Sequence, residues 1–307
     1  MGNSEIIGKS APIRDAVLKV TGEMKYVGDM KMPGMLVAKV LFSPYAHARI
    51  KSIDIEEAQK LPGVHAVVCC KNTPTLKYNS ALRFFEHKIP ETEQVFPDVM
   101  RYVGDRVAAV AAEDEKTAEA ALKLIKVEYE ELPAVFDVEK ALEEGAPAIH
   151  EGGNKVGEIF SEAGNVDEAW AQCDRVFEDR YSMPPIHHLA IETHTAIADY
   201  DSRGKLTVWT PCQNTFNHRV LLSRIFKFPM TCVRVIRPAI GGAFGGKNEM
   251  TIEPVAAVLA IMAKRPVKLV LNRKETMIAT RTRHAAVAYI KTGVKNDGTV
   301  LAQEFRM

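Results

Sequence analysis

No two cysteines stand in a CxxC arrangement, and the five present (Cys69, Cys70, Cys173, Cys212 and Cys232) are odd in number. That argues against a disulfide scaffold and a zinc finger and fits a reducing cytoplasm. The clustered thiolates that hold an iron–sulfur centre are missing too, so any such centre is expected on another domain or subunit. A charge of one sign is also lacking. The chain has 40 Lys and Arg against 39 Asp and Glu, a formal net charge of +1. This gives no electrostatic reason to expect nucleic acid or an anionic membrane as a partner. Long apolar runs are absent: PVAAVLAIMA is too short to cross a bilayer. The start, MGNSEIIGKSAPIRD, has no signal-peptide core. Ile6 stands where N-myristoylation needs Ser or Thr. There is no internal repeat and no low-complexity tract.

What is there is an ordinary globular composition, 47% hydrophobic and 26% charged over 307 residues. It suffices for a real core and suggests about two domains. Residues 34–43, 48–55, 64–70, 106–113 and 125–132 are β-branched, partly alternating runs and read as strands. Short helices fall at IEEAQKL and at EKTAEAALKL, the second capped by Asp114. Residues 71–100 have no clear period and form a long excursion. The β-α-β pattern predicts an α/β domain over 1–135. A linker rich in Pro, Gly and acidic residues follows over 136–160, with one short helix at VEKALEEG. Beyond it come a helix capped by Asn165, strands at RVFEDRYSM, IETHTAIADY and KLTVWT, and a helix at TFNHRVLLSRIFK. Then follow the strand CVRVIRP, a glycine loop, the helix EPVAAVLAIMAK, the strand PVKLVLN and the strand GTVLAQEFRM.

The glycine loop, GGAFGGK over 241–247, fits the phosphate-loop template through Gly241, Gly246 and Lys247. It lies between a strand and a helix, where backbone N–H groups and the helix N-terminus favour an anion. The triphosphate reading fails at two points. Asn248 stands where a Ser or Thr hydroxyl should hold magnesium, and the following strand KLVLN brings no aspartate for the metal. A tight packing turn and some other anion site remain open on the loop alone. Nearby, His188, Glu192 and His194 would share one face of a strand, though a ligand set usually needs closer convergence and satisfied histidines are commoner than metal ligands. Arg281, Arg283 and His284 form a polar knot of the kind that pins loops.

The segments VTGEMKYVGDMKMPGML, SPYAHARI, LPGVHAVV, YVGDRVAAVAAE, VEYEELPAV, GNVDEAW, IETHTAIADY, TPCQNTF, GGAFGGK and LNRKETMIATRTRH run over nearly the whole chain. In order and spacing they resemble the molybdenum-bearing subunit of the molybdenum hydroxylases, the xanthine dehydrogenase and aldehyde oxidase family. ATRTRHA is most similar to the bacterial xanthine dehydrogenases. The resemblance implies a mixed α/β and α+β fold. A hammerhead-type α/β domain would occupy 1–135, followed after the linker by the first part of a molybdopterin-binding α+β domain over 161–307.

It also implies a cofactor and site residues. The cofactor is molybdenum on a molybdopterin, in bacteria often the cytosine dinucleotide form. Gly242, Phe244 and Gly245 match the family's cofactor loop, with the backbone of Phe244 and Gly245 near molybdenum. Read without the resemblance, Phe244 could instead plug the core beneath the loop. Gln213 matches the glutamine whose amide bonds an oxygen ligand of the metal. Without the resemblance it could instead cap the helix that begins near Thr215. Asn248 falls at the substrate-binding position where purine-oxidising members often have glutamate; it can donate and accept but supplies no charge. The implied reaction is hydroxylation of a purine such as hypoxanthine or xanthine with water as the oxygen source. Electrons would leave through 2Fe-2S and FAD partners to NAD. An aldehyde, or another N-heterocycle such as nicotinate, is the alternative substrate, and a non-catalytic truncated scaffold the alternative role. No catalytic residue is expected within these residues. The general-base glutamate of the family lies downstream, and Glu249 and Glu253 are not its replacements. The C-terminal half of the molybdenum subunit is therefore an expected partner, in an oligomeric assembly.

Residues 1–307 on their own are expected to hold little or no molybdenum and not to oxidise xanthine, because only two of the cofactor loops fall within them. Metal analysis and a dye-reduction assay check this; stoichiometric molybdenum with purine hydroxylation would contradict it.

Overall fold

A computed structural model describes residues 7–81 and 90–307. In the first part of the chain, helix α1 (Ala16–Val20) precedes strands β1 (Leu36–Phe42) and β2 (Ala48–Asp54). Helix α2 (Glu56–Lys60), β3 (Val64–Cys69), the two-residue β4 (Val99–Met100), β5 (Arg106–Ala112), α3 (Glu115–Leu124) and β6 (Lys126–Glu131) follow. The five strands expected from the alternating and apolar runs are all present. β5, with the sequence RVAAVAA, is buried at every position, as a strand with neighbours on both edges and cover on both faces should be. Asp114 caps α3, its Oδ1 accepting the Thr117 N–H at 2.7 Å. In the excursion, residues 82–89 lie outside the described residues. On either side of them Tyr78, Val95 and Phe96 are buried in the core.

After residue 135 the VEKALEEG segment forms only a short 3₁₀ turn, Lys140–Leu142, rather than a helix. It has no buried residue to hold a longer one. Then come α4 (Val166–Ala171), β7 (Arg175–Met183), the short β8 (Ile186–His187), β9 (Thr195–Tyr200), β10 (Leu206–Trp209) and α5 (Thr215–Phe226). The chain continues through β11 (Val233–Ile236), α6 (Glu253–Ala263), β12 (Val267–Val270), α7 (Arg273–Ala279), the short β13 (Thr282–Arg283), β14 (Ala286–Val294) and β15 (Val300–Arg306). The strand expected over IETHTAIADY starts only at Thr195. Its first four residues turn away because their backbone bonds go elsewhere. Arg273 Nη2 donates to the carbonyls of Ala190 and Ile191 at 2.7 and 2.8 Å. The Glu192 N–H donates to the Gly241 carbonyl at 3.1 Å.

One seven-stranded sheet carries the molecule, in the order β11-β10-β9-β12-β1-β5-β3. Its middle is the parallel pair β1–β12, with Leu36 opposite Val267 and Ala38 opposite Leu269. The sheet therefore runs across the boundary expected near residue 135. On one face, α2 and α3 cover a core drawn wholly from residues 41–129. On the other face, the apolar helix α6, buried from Glu253 to Ala260, packs in a core shared by Leu36, Val40, Ala198, Leu221, Leu259 and Leu269. A helix apolar on all sides belongs in such a place. Among the described residues the other strands form three smaller sheets, β4-β2-β6, β15-β14-β7 and the two-stranded β13-β8.

Limited proteolysis is expected to open the segment over 136–160 first, since exposed connecting backbone is cut most readily. The two fragments should then stay together on gel filtration, held by the β1–β12 pairing and the shared core; separate elution of the fragments would contradict the shared sheet.

Candidate functional site

The glycine loop joins β11 to α6, at one end of the sheet. Its backbone takes the left-handed region three times: φ is +99° at Gly242, +52° at Phe244 and +94° at Gly245. The first and third suit glycine, whereas an aromatic at +52° needs its surroundings to hold it there. Two short bonds close the turn, from the Gly246 N–H to the Ala243 carbonyl at 2.8 Å and from the Asn248 N–H to the Gly245 carbonyl at 3.2 Å. Gln213 ties the loop to the start of α5. Its N–H donates to the Lys247 carbonyl at 2.8 Å, and its Oε1 accepts the Gly245 N–H at 3.1 Å. Capping of α5 falls to Asn214, whose Oδ1 accepts the Asn217 N–H at 3.2 Å. Gln213 is therefore not the helix cap.

The floor of the loop is polar and buried. Glu192 Oε2 accepts the Gly241 N–H at 2.8 Å and lies 2.8 Å from Lys247 Nζ. Lys247 is only 3% exposed. Burial lowers its pKa, and the Glu192 carboxylate works against that shift. The lysine is thus engaged inside the fold and does not reach an outside phosphate. His194 Nε2 is 3.0 Å from the Gly246 carbonyl and donates to it. Packing explains two glycines that the dihedrals do not. A Cβ at Gly241 would stand 2.6 Å from Glu192 Cβ, and one at Gly246 would stand 2.8 Å from the His188 ring.

The outer side is different. Phe244 is 75% exposed, so it does not plug the core beneath the loop. Among the described residues the N–H groups of Gly242, Ala243 and Phe244 make no hydrogen bond within the protein, and neither does the Gln213 side-chain NH₂. A row of three amide donors in a positive-φ turn, with a neutral carboxamide beside it, suits an oxygen-rich or anionic group. These donors fit a pterin cofactor carrying phosphate and metal-bound oxygens.

The remaining side chains sort out plainly. The strand expected to align His188, Glu192 and His194 is an irregular segment, and these residues do not form a ligand face. His187 Nε2 lies near the Thr276 carbonyl and Thr280 Oγ1, at 3.2 and 3.1 Å. Among the described residues no three His, Cys, Asp or Glu side chains are placed to hold a metal ion. Arg281 pins loops as expected: it pairs with Glu93 at 2.6 Å and Glu249 at 3.2 Å and donates to Ser80 Oγ at 2.7 Å. The Arg283 guanidinium donates to Met183 Sδ at 3.9 Å, and its backbone pairs with Ile186 in the β13–β8 ladder. A cavity of about 510 Å³ is lined by Arg281, Glu93 and Met250 and not by Gln213 or Phe244. It is a seam between the excursion and α7, separate from the loop's open side.

Sequence reading assigns Glu192, Lys247 and His194 no part in holding the loop, and one further group escapes it, under the helix. Glu253 Oε1 accepts from Thr210 Oγ1 at 2.7 Å and Oε2 from the Thr251 N–H at 2.8 Å, with His218 Nε2 3.5 Å away. Burial pushes its pKa up, but His218 and the Thr210 hydroxyl outweigh burial and bring it down to about 2. A carboxyl held so low is a poor proton acceptor near neutrality. Because the folded pKa lies below the ordinary 4.5, this network stabilises the fold above that value. The contribution fades as pH falls toward the folded pKa. Urea midpoints of wild type and Glu253→Gln should differ by a constant amount at neutral pH and converge in the acid range; a pH-independent difference would show that the carboxylate's charge is not what stabilises.

Comparison with known proteins agrees with this geometry. Residues 21–133 match the aldehyde oxidase and xanthine dehydrogenase a/b hammerhead domain, and residues 149–307 match the molybdopterin cofactor-binding domain. The chain is 42% identical over 303 residues to a probable xanthine dehydrogenase subunit of Bacillus subtilis, covering 98% of this chain and 40% of that one. It is 36% identical over 304 residues to the nicotinate dehydrogenase large molybdopterin subunit of Eubacterium barkeri, covering 99% of this chain and 70% of that one. The solved quinoline 2-oxidoreductase of Pseudomonas putida superposes with a TM-score of 0.85 at 31% identity, over 97% of this chain and 39% of that one. The chain thus spans well under half the length of several relatives it matches. With its hammerhead α/β domain followed by a molybdopterin-binding domain, the chain belongs to the aldehyde oxidase and xanthine dehydrogenase family of molybdenum hydroxylases.

Proposed function

We propose that these residues form the front part of the molybdenum-binding subunit of a xanthine dehydrogenase-like hydroxylase acting on a purine. The observation that carries the reading is the row of amides at Gly242, Ala243 and Phe244, unpartnered among the described residues, beside the side-chain NH₂ of Gln213. When bound, the molybdenum–pterin group supplies a two-electron redox centre for hydroxylation with water as the oxygen source. The backbone of Gly242 and Phe244 would hold it, and Gly245 would do so through its contact with Gln213. The Gln213 NH₂ would donate to an oxygen on the metal without becoming a ligand. Asn248, at the end of the loop, would donate to and accept from the edge of a heterocycle. Glu249 is paired with Arg281, and Glu253 is buried. By the family resemblance, the proton acceptor for the reaction is assigned to a part of the subunit downstream of these residues.

The same reading covers the assembly: a division near residue 135 with a linker over 136–160, a cytosine dinucleotide form of the cofactor, and 2Fe-2S and FAD subunits that pass electrons to NAD in the cytoplasm. No helix among the described residues is long and apolar enough to cross a membrane. A second reading, an N-heterocycle such as nicotinate, is favoured by two observations. Asn248 brings no charge to the substrate position, and a nicotinate dehydrogenase subunit is a relative over 99% of this chain.

In the complete enzyme, Gln213→Ala should leave the helix intact, because Asn214 caps it, and lower turnover. One hydrogen bond to a charged group is worth about 1.5 kcal/mol, roughly tenfold in rate. Unchanged turnover at full molybdenum content would remove Gln213 from the site. Turnover with xanthine, hypoxanthine, nicotinate and aldehydes in parallel then selects the substrate; the highest kcat/KM is expected with a purine, and a nicotinate preference would move the assignment to the second reading.

A further inference from the structure

A phosphate-binding loop turns its lysine and its amides toward an external anion. Here the same parts meet an anion that the protein itself supplies. The Gly241 N–H and Lys247 Nζ converge on one oxygen, Glu192 Oε2, each at 2.8 Å. Glu192 is delivered there by its own backbone, whose N–H donates to the Gly241 carbonyl at 3.1 Å. Arg273 holds the preceding residues by the carbonyls of Ala190 and Ile191. Glu192 Oε1 is buried and has no hydrogen-bond partner among the described residues. A Cβ at position 241 would collide with Glu192 Cβ at 2.6 Å, so the stem of the Glu192 side chain packs directly against the loop backbone.

We propose that Glu192 is a positioning residue for the cofactor loop, an internal anion that fills the floor of GGAFGGK and thereby leaves the amides of Gly242, Ala243 and Phe244 for the external group. This rests on the reading of the loop as the molybdenum–pterin site. In this arrangement Lys247 is not a cofactor contact; its ammonium pairs with Glu192 under the loop at 2.8 Å. A sequence so close to a phosphate loop therefore need not bind a nucleoside triphosphate: the place of the anion is already taken.

The test uses the molybdenum-loaded protein assembled with its partner subunits. Replacing both charges by apolar residues of similar size, E192M/K247M, should leave the melting temperature near that of wild type, since such swaps of buried pairs are commonly tolerated. Amide hydrogen exchange at Gly241 and its neighbours should accelerate. Molybdenum per subunit should fall about tenfold or more, the usual effect of losing a group that orients a metal site. The charge swap E192K/K247E restores a pair but sets an ammonium against the Gly241 N–H, and it should stay poor in molybdenum. Full molybdenum in either double variant would overturn the proposal. Gly245→Ala, strained at φ +94°, separates the role of Glu192 from the reading of the loop. If it retains full molybdenum, the cofactor reading of the loop fails and the role of Glu192 with it. If it is empty while E192M/K247M is full, only the role of Glu192 fails.

Discussion

The buried contact of Glu192 with Lys247 and the Gly241 amide is the constraint on which the site depends. Burying an ammonium and a carboxylate is costly, and the cost is offset only when geometry and extra hydrogen bonds are good. Here one carboxylate oxygen serves both the ammonium and a backbone N–H at 2.8 Å. Removing either charge would strand the other in a nearly dry place. That makes the pair a strong determinant of where the loop backbone runs. Gly241 follows from it, since position 241 has no room for a Cβ against Glu192; position 246 has none against His188.

The loop is held from three sides by elements far apart in sequence. Gln213, at the start of α5, takes the Gly245 N–H. His194, just before β9, donates to the Gly246 carbonyl. Arg273, at the start of α7, fixes the stretch that carries Glu192. All three elements stand on or beside the seven-stranded sheet. That sheet is completed only because β12 lies parallel to β1, from the first part of the chain. The hammerhead domain thus does more than precede the cofactor domain; its strands form part of the sheet that supports the loop.

Arg281 gives a second link of the same kind. It bridges Glu93 in the excursion to Glu249, next to Asn248. A guanidinium between two carboxylates from separate segments fixes their spacing. The position proposed to meet substrate is therefore coupled mechanically to the first domain.

Much of this is legible without coordinates. Alternation and apolar runs mark β1, β2, β3, β5 and β6. Asp114 and Asn165 announce their helices as caps. The order of motifs from VTGEMKYVGDMKMPGML to LNRKETMIATRTRH is enough to suggest the family. These features are local, and local spacing is what a sequence displays. Helix α7 and strand β14 escape such a reading, because a short capped helix and a strand such as AVAYIKTGV are weak signals without their neighbours. An extended reading of 191–194 is wrong, because Arg273 and Gly241 claim backbone groups that a strand would use. Whether Gln213 caps a helix, whether Phe244 lies inside or outside, and what Lys247 holds are decided only by the fold. Each depends on a partner at least 30 residues away along the chain, or on which face of the loop meets the core. The sequence alone determined that a glycine loop stands between a strand and a helix. The tertiary structure decided that its anion is Glu192, since only the assembled fold brings residue 192 beneath residues 241 and 247.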